Sequence, residues 1–417
     1  MPQTLSSDTP DKGRLRIHVD SALTRSPVEN ARIRIFDTGQ PEKALEEIGT
    51  DTNGNSETVE LPAPPIEYSM EPSENQPYSE YTFQIQADGF EPLSISGAEL
   101  FSGSLALQDV RLSPLEASGD FQNYTIPAHT LFGNYPPKIA EAEIKPVNAS
   151  GEIVLSRVVV PEYIVVHDGS PRDSTAQDYY IRYSDYIKNV ASSEIYATWP
   201  RAAIVANVLA IMSFTLNRVY TEWYRNKGYS FTITSSTAFD HKWIPNRNIF
   251  ESISEVVDEV FASYLSRPNV RQPILTQYCD GQRVSCPNWL SQWGSKYLGD
   301  QNYTPVEILR YYYGDDMYIN SAEEISGIPA SWPGETLDIG SRGQKVEQLQ
   351  EQLNAISNNY PLIPKIRVDG IYGEETQRAV EIFQDIFGLP ETGEVDYRTW
   401  YKVQEIYVGV TRIAVLY

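Results

Sequence analysis

Within residues 186 to 218, YIKNVASSEIYATWPRAAIVANVLAIMSFTLNR, one carboxylate, Glu194, stands shortly before a Trp199-Pro200 step and a long run of small and apolar residues. A proline in a first helical turn costs no hydrogen bond, and Ala202, Ala203, Ala206, Ala210 and Ser213 recur at three- and four-residue spacing. That spacing predicts a helix whose small face lets neighbouring backbone approach closely. A glutamate presented beside it in a groove can be partly buried, and burial raises its pKa until it can protonate a leaving oxygen near neutral pH. Hydrolysis by paired carboxylates would need a second acid across the scissile bond. Asp185 and Asp240 are available, and spacing singles out neither. The plainer reading of Glu194 is a side chain that only caps or solvates a helix start.

Other reactive side chains are sparse. Cys279 and Cys286, with six residues between them, could join His241 in a zinc site, form a disulfide or stay thiols. C-x6-C is not a standard structural-zinc spacing, and a fourth ligand is not identifiable. No local motif activates either thiol as a nucleophile. The four histidines, His18, His129, His167 and His241, form no H-E-x-x-H pattern, which makes a zinc amidase site hard to assemble. The tyrosine clusters at 179 to 187 and 311 to 313 offer amphipathic faces, or belong to a half-buried core.

The elements that must position these groups fall into several units, as 417 residues are too many for one core. Fifty-six acidic against thirty-three basic side chains, a formal charge of -23, argue against nucleic acid as a partner. The N-terminus lacks a basic region followed by an apolar run, and no stretch approaches eighteen uninterrupted apolar residues. Neither a standard signal peptide nor a membrane span is expected.

Residues 1–114 alternate apolar and polar positions, as in Leu15, Ile17 and Val19 or Tyr81, Phe83 and Ile85, with Asn53-Gly54 as a tight turn. A small antiparallel β-sandwich is predicted. Residues 115–158 carry Pro127, Pro136, Pro137 and Pro146 and suit an extended connector. Residues 159–331 mix helical and strand-like runs, an α+β pattern, and close on a helix opening at Thr304-Pro305 with Glu307 behind it. In residues 332–410, Val346, Leu349 and Leu353 line one helix and Ala379, Val380 and Phe383 another.

Three resemblances follow. SPVENARIRIFD and YTFQIQADGFEPLSI resemble carboxypeptidase-regulatory or transthyretin-like sandwich modules. The Glu194, Trp199-Pro200 and Ala-rich helix motif resembles the SpoIID/LytB family of peptidoglycan-cleaving proteins. So do Ser291, Gln292, Trp293 and Gly294, followed by Ile308, Leu309, Tyr312 and Tyr313. Where that family has Gly-His-Gly this chain reads SCPNWL, and its helix Arg-Thr becomes Met212-Ser213. The last segment resembles the three-helix peptidoglycan-binding module throughout.

The SpoIID/LytB resemblance implies a lytic transglycosylase with Glu194 as acid and base, and Trp199, Asn207 and Gln292 at the glycan. It requires no cofactor, although some relatives hold zinc through cysteines and a histidine, which here would be His241, Cys279 and Cys286. The module resemblance implies a shallow groove shaped by Asp369 and Tyr372. The order of units resembles the SleC-type spore cortex-lytic enzymes. Those act on peptidoglycan of the spore cortex, reside in the spore or cell wall, and are made as zymogens trimmed by a subtilisin-like protease. A mature start between about residues 140 and 160 is expected on that resemblance. A muramidase-type hydrolase, an amidase and a non-catalytic wall-binding protein are the alternatives.

Overall fold

The computed structural model describes residues 11–115, 121–145, 158–322, 324–325 and 335–411. The expected activation cut falls largely on residues 146–157, outside the described residues.

The N-terminal unit is sheet-rich. Strands β1 (Asp11–Ser21), β2 (Arg32–Asp37), β3 (Ala44–Gly49) and β4 (Val59–Ala63) are followed by a single turn, α1 (Glu67–Met70). Then come β5 (Ser79–Gln86), β6 (Leu93–Leu100), β7 (Leu105–Leu112) and β8 (Gln122–Thr125). Alternation works as predicted: Leu15, Ile17 and Val19 are buried while Arg14, Arg16 and His18 face outward to differing degrees. Gly54 takes φ +76°, and a Cβ there would lie 2.5 Å from the Val19 carbonyl oxygen, so this turn demands glycine. The expected antiparallel sandwich needs correcting. β1 runs parallel to β7, and β6 runs parallel to β8. The chain crosses between the sheets, and the start of the supposed connector supplies an edge strand.

The central unit begins at β9 (Val159–Val160), β10 (Tyr163–His167) and β11 (Asp178–Arg182), which lead into α2 (Tyr183–Glu194) and α3 (Arg201–Tyr220). Short strands β12 (Ile233–Thr234) and β13 (Ile249–Phe250) precede α4 (Glu251–Val260). After them come β14 (Ser263–Ser266), β15 (Tyr278–Cys279), β16 (Leu290–Ser291), α5 (Gln292–Asp300) and α6 (Pro305–Tyr313). The helix α3 is packed by α2, α4, α5, α6 and β14. By length and composition it is apolar enough to cross a membrane, and here it is buried in the core. Its small face works as expected: a Cβ added to Gly299 of α5 would lie 3.3 Å from Ala203 Cβ. Thr304 and Glu307 close a capping box around Pro305.

The central unit and the sandwich are welded. β13 pairs with β7, Ile249 opposite Leu107 and Phe250 opposite Ala106, so the first sheet reads β13-β7-β1-β4 across the boundary. One hydrophobic core spans both units. Within it the buried guanidinium of Arg247 pairs with the buried carboxylate of Glu99. Asn248 brackets Glu99 by accepting from its N–H at 3.0 Å and donating to its carbonyl at 2.8 Å.

The C-terminal unit has its own core around α7 (Gln344–Ile356), α8 (Glu374–Ile386) and α9 (Tyr397–Thr411). It repeats one device. Gln350 Oε1 accepts from the N–H groups of Asp369 and Gly370 at 3.0 and 2.9 Å, and its amide donates to Ile371 and Thr376. Gln384 Oε1 accepts from Gly393 N–H at 2.9 Å, and its amide donates to Glu394 and Thr399. Each glutamine holds the turn that launches the next helix. Gln350→Ala orphans these partners at about 1–3 kcal/mol for each buried group. It is expected to lower the domain's melting temperature and weaken pull-down on purified sacculi.

Candidate active site around Glu194

Glu194 is the last residue of α2, where the chain turns to extended backbone at Ile195. It is only 3% exposed. Gln292, at the start of α5, donates to the Glu194 carbonyl at 3.0 Å and ties the two sequence motifs together. The carboxylate has two donors. Lys242 backbone N–H reaches Oε1 at 2.6 Å, and the Tyr278 hydroxyl donates to Oε2. Burial pushes the Glu194 carboxyl above its ordinary range, against the pull of the Lys138 ammonium and the bonds from Tyr278 and Lys242. Burial, together with the Glu194 charge, also pushes the Tyr278 hydroxyl well up, so it remains a proton donor. A buried carboxyl with a raised pKa, held at two points, can serve as a general acid.

Lys138 lies across the face of Tyr278, 5.0 Å from the ring centroid, and 5.1 Å from that of Phe214. Its ammonium donates to the Asp240 carbonyl. His241 stacks on Tyr278 with centroids 5.8 Å apart and shares a 3.0 Å hydrogen bond with the Tyr186 hydroxyl. Burial, with Lys138 and Arg218 close by, holds His241 far below its usual pKa and therefore neutral.

Part of the surroundings of Glu194, Lys138 and Thr130 among it, comes from a segment that sequence patterning leaves as a connector. From Ile126 to Lys145 the chain has no regular element and runs along the central unit. Thr130 donates to the Ser193 carbonyl through N–H and hydroxyl, at 3.1 and 2.9 Å. Arg283 donates to the carbonyls of Thr130, Phe132 and Gly133. Farther on, Glu141 pairs with the fully buried Arg218, and Glu143 takes both arms of Arg267 at 2.8 and 2.9 Å.

Several sequence-predicted site residues have other work. Trp199 is buried and donates to the Ser69 carbonyl at 3.0 Å, pinning α1 of the sandwich. Asn207 is buried and donates to Ala203 O at 2.8 Å and Ser295 Oγ at 2.7 Å, joining α3 to α5. Gln292 is likewise buried and positions Glu194 from behind. Tyr372 is a core residue whose hydroxyl donates to Gly393 O at 2.8 Å. Asp369 is exposed and accepts from Ile371 N–H at 2.9 Å within its turn. Ser291 caps α5 by accepting from Gly294 N–H at 2.9 Å.

Of the second-carboxylate candidates, one is fully engaged by other partners and the other is distant along α2. Asp240 is fully buried and occupied by Arg218 Nε at 2.7 Å, the Tyr224 hydroxyl at 2.6 Å and Thr234. Asp185 opens α2, nine residues before Glu194, which a helical rise puts about 13 Å away, beyond the usual carboxylate separations. The zinc set also needs correcting: Cys279 and Cys286 form a disulfide, which removes both thiolates, and His241 is walled in by Tyr186, Phe214 and Tyr278. Among the described residues no group of three or more His, Cys, Asp and Glu side chains could hold a metal ion. The tyrosine clusters divide: Tyr183, Tyr186 and Tyr313 are core, whereas Tyr180 and Tyr311 are exposed.

Sequence reasoning missed Tyr278, Lys242, Lys138 and Arg247. Tyr278 and Lys242 do adjoin Cys279 and His241, the residues singled out for zinc, but no spacing joins either to Glu194.

Comparison with known proteins agrees with the C-terminal reading. A family model for the peptidoglycan binding domain matches residues 342–403. No curated protein matches the chain. Among solved structures, the SleB N-terminal domain is 27% identical over 18% of this chain and 99% of that one, with a TM-score of 0.17. The TIE protein of Bacillus anthracis is 12% identical over 25% of this chain and 17% of that one, TM-score 0.18. The 5-hydroxyisourate hydrolase of Klebsiella pneumoniae is 13% identical over 25% and 92%, TM-score 0.16. The chain is thus a multidomain protein with a sheet-rich N-terminal region and a helical C-terminal peptidoglycan-binding domain.

Proposed function

We propose that this protein is a lytic transglycosylase that cleaves the glycan strand of peptidoglycan, in the spore cortex, after its chain is cut by a subtilisin-like protease. The observation that carries the reading is Glu194: a buried carboxyl gripped by Tyr278 and Lys242, on a chain that ends in a peptidoglycan-binding domain. The units are proposed to divide as sandwich, 1–114; connector, 115–158; catalytic domain, 159–331; and binding domain, 332–410, with the first two forming a pro-region.

The reaction needs one group. Protonated Glu194 gives its proton to the glycosidic oxygen as the bond to the muramoyl C1 breaks. The resulting carboxylate takes the proton of the C6 hydroxyl, whose oxygen closes on C1. A 1,6-anhydro end forms, the carboxyl is restored and no water is consumed. Of the two carboxylates singled out for a water-using mechanism, Asp240 is engaged by Arg218, Tyr224 and Thr234 and Asp185 stands at the other end of α2, which supports this route over a paired-carboxylate hydrolase.

Mass spectrometry of the products tests the reading. Anhydro-muramoyl ends are expected from cortex digested with the processed protein. Reducing muramoyl ends would make it a hydrolase, and free stem peptides an amidase. Binding to sacculi without turnover at any pH would leave a wall-binding protein.

A further inference from the structure

We infer that the Cys279–Cys286 disulfide is a positioning element of the Glu194 site: it closes the loop that runs from Tyr278 to Gln292, and its reduction by a dithiol lowers turnover reversibly. The turnover half of this rests on Glu194 being the acid; the positioning half does not.

Glu194 is held from both ends of one short stretch of chain. Tyr278, whose hydroxyl donates to Oε2, opens it, and Gln292, whose amide donates to the Glu194 carbonyl at 3.0 Å, closes it. Regular structure does little to fix what lies between. β15 and β16 pair over two residues each, Tyr278 opposite Leu290 and Cys279 opposite Ser291. From Asp280 to Trp289 no regular element forms, and Gln282, Arg283, Ser285, Pro287 and Asn288 are exposed. A loop with so few buried apolar contacts opens at low cost. The Asp280 carboxylate draws in its first half by accepting from the N–H groups of Gln282, Arg283 and Val284. Arg283 ties it to the Thr130, Phe132 and Gly133 carbonyls, on the segment that the proposed processing removes. The disulfide is the covalent tie. It holds the Cα atoms of residues seven apart in sequence at 5.6 Å and so removes freedom from the chain between the two Glu194 contacts. Because Cys279 directly follows Tyr278, slack at its sulfur is passed to the phenol.

Cys286 is half-buried between the exposed Ser285 and Pro287, which opens its sulfur to attack. One thiolate of the dithiol bonds to Cys286 Sγ, the S–S bond breaks, and Cys279 leaves as a thiolate that takes up a proton. The second thiol of the reductant then displaces Cys286, which leaves in the same way, and the reductant departs as a disulfide. Two electrons and two protons have passed to the protein. Burial raises the Glu194 pKa, while the Lys138 ammonium, the Tyr278 bond and Lys242 draw it down. Loosening Tyr278 therefore lifts it further and frees the carboxyl to turn away from its working position. A chain in a reducing compartment thus carries a slack acid, and oxidation outside that compartment tightens it.

The test uses the processed protein, oxidised or reduced with dithiothreitol, its thiols counted by alkylation and mass. Reduction is expected to slow release of soluble glycan fragments about tenfold, the scale of one hydrogen bond to a charged group. The alkaline limb of the pH profile should move to higher pH, and reoxidation should restore both. Tyr278→Phe is expected to reproduce the loss and the moved limb while still oxidised, and to lose nothing more on reduction, since both changes act through one contact. Cys279→Ser combined with Cys286→Ser should match the reduced parent with or without reductant. The Glu194 carboxyl, followed by NMR, should titrate at higher pH in the reduced protein. Full turnover and an unmoved profile after verified reduction overturn the proposal, as do losses from reduction and Tyr278→Phe that simply add. A moved Glu194 titration with no wall solubilisation in either state would sustain the positioning and sink the assignment of Glu194 as the acid.

Discussion

Glu194→Gln in the processed protein should abolish release of soluble glycan fragments from cortex while leaving the fold and sacculus binding unchanged. Gln is isosteric, and its Oε1 can still accept from Lys242 N–H, so the end of α2 keeps its shape. What disappears is the transferable proton. Loss of a general acid typically lowers rate by about 10²–10⁴-fold, and the remainder would fall below detection in a turbidity assay. Circular dichroism and pull-down check the fold and the binding, and retained release sinks the assignment. The same environment sets a pH dependence. Burial raises the Glu194 pKa in the folded state, so activity should persist above the usual carboxylate range and fall as pH rises through that raised value. The stability consequence has the same sign. A folded-state pKa above that of the unfolded chain means stability is lost as pH rises between them. The Gln variant should therefore gain melting temperature over the parent at pH 8 and not at pH 4.

The second large effect is on the weld between units. Arg247→Ala leaves the Glu99 carboxyl buried without its counter-charge, a change that typically costs about 3–5 kcal/mol. Burial already holds Glu99 above the usual carboxylate range in the parent, and loss of the guanidinium pushes it further up. The variant should accordingly be far less stable at pH 8 than the parent, with part of the deficit recovered near pH 4, where Glu99 can take a proton. Urea melts at the two pH values check this. An equal deficit at both would mean the pair contributes through packing alone.

What could be read beforehand divides along a physical line. Periodicity reports burial within one element, so Leu15, Ile17 and Val19, the Val346 helix and the Thr304 cap were all legible. Pairing between distant segments leaves no local mark. That is why the parallel partnership of β1 with β7 and the entry of β13 into the sandwich sheet were not. The site divides in the same way. Glu194 was visible through its motif, but its donors arrive from Lys242 and Tyr278, on separate loops. Trp199, Asn207 and Gln292 look like groups for a ligand because they stand in the motifs that carry the SpoIID/LytB resemblance. In the fold each spends its hydrogen bonds on neighbouring backbone or side chains, which is how such residues become tolerable in a core. The prolines at 127, 136 and 137 implied an extended path, and could not say what lay beneath it.

The loan of β13 to the first sheet also bears on how this chain is made. Synthesis runs from the N-terminus, and a domain tends to fold as it emerges. Here β1, β4 and β7 are complete long before Ile249 and Phe250 leave the ribosome. Until then the Ala106–Leu107 edge is an open strand border, the kind of surface that recruits a neighbouring chain. Folding yield should thus be governed by the delay before residue 250 arrives, and a nascent chain that pauses earlier is the species most exposed to aggregation.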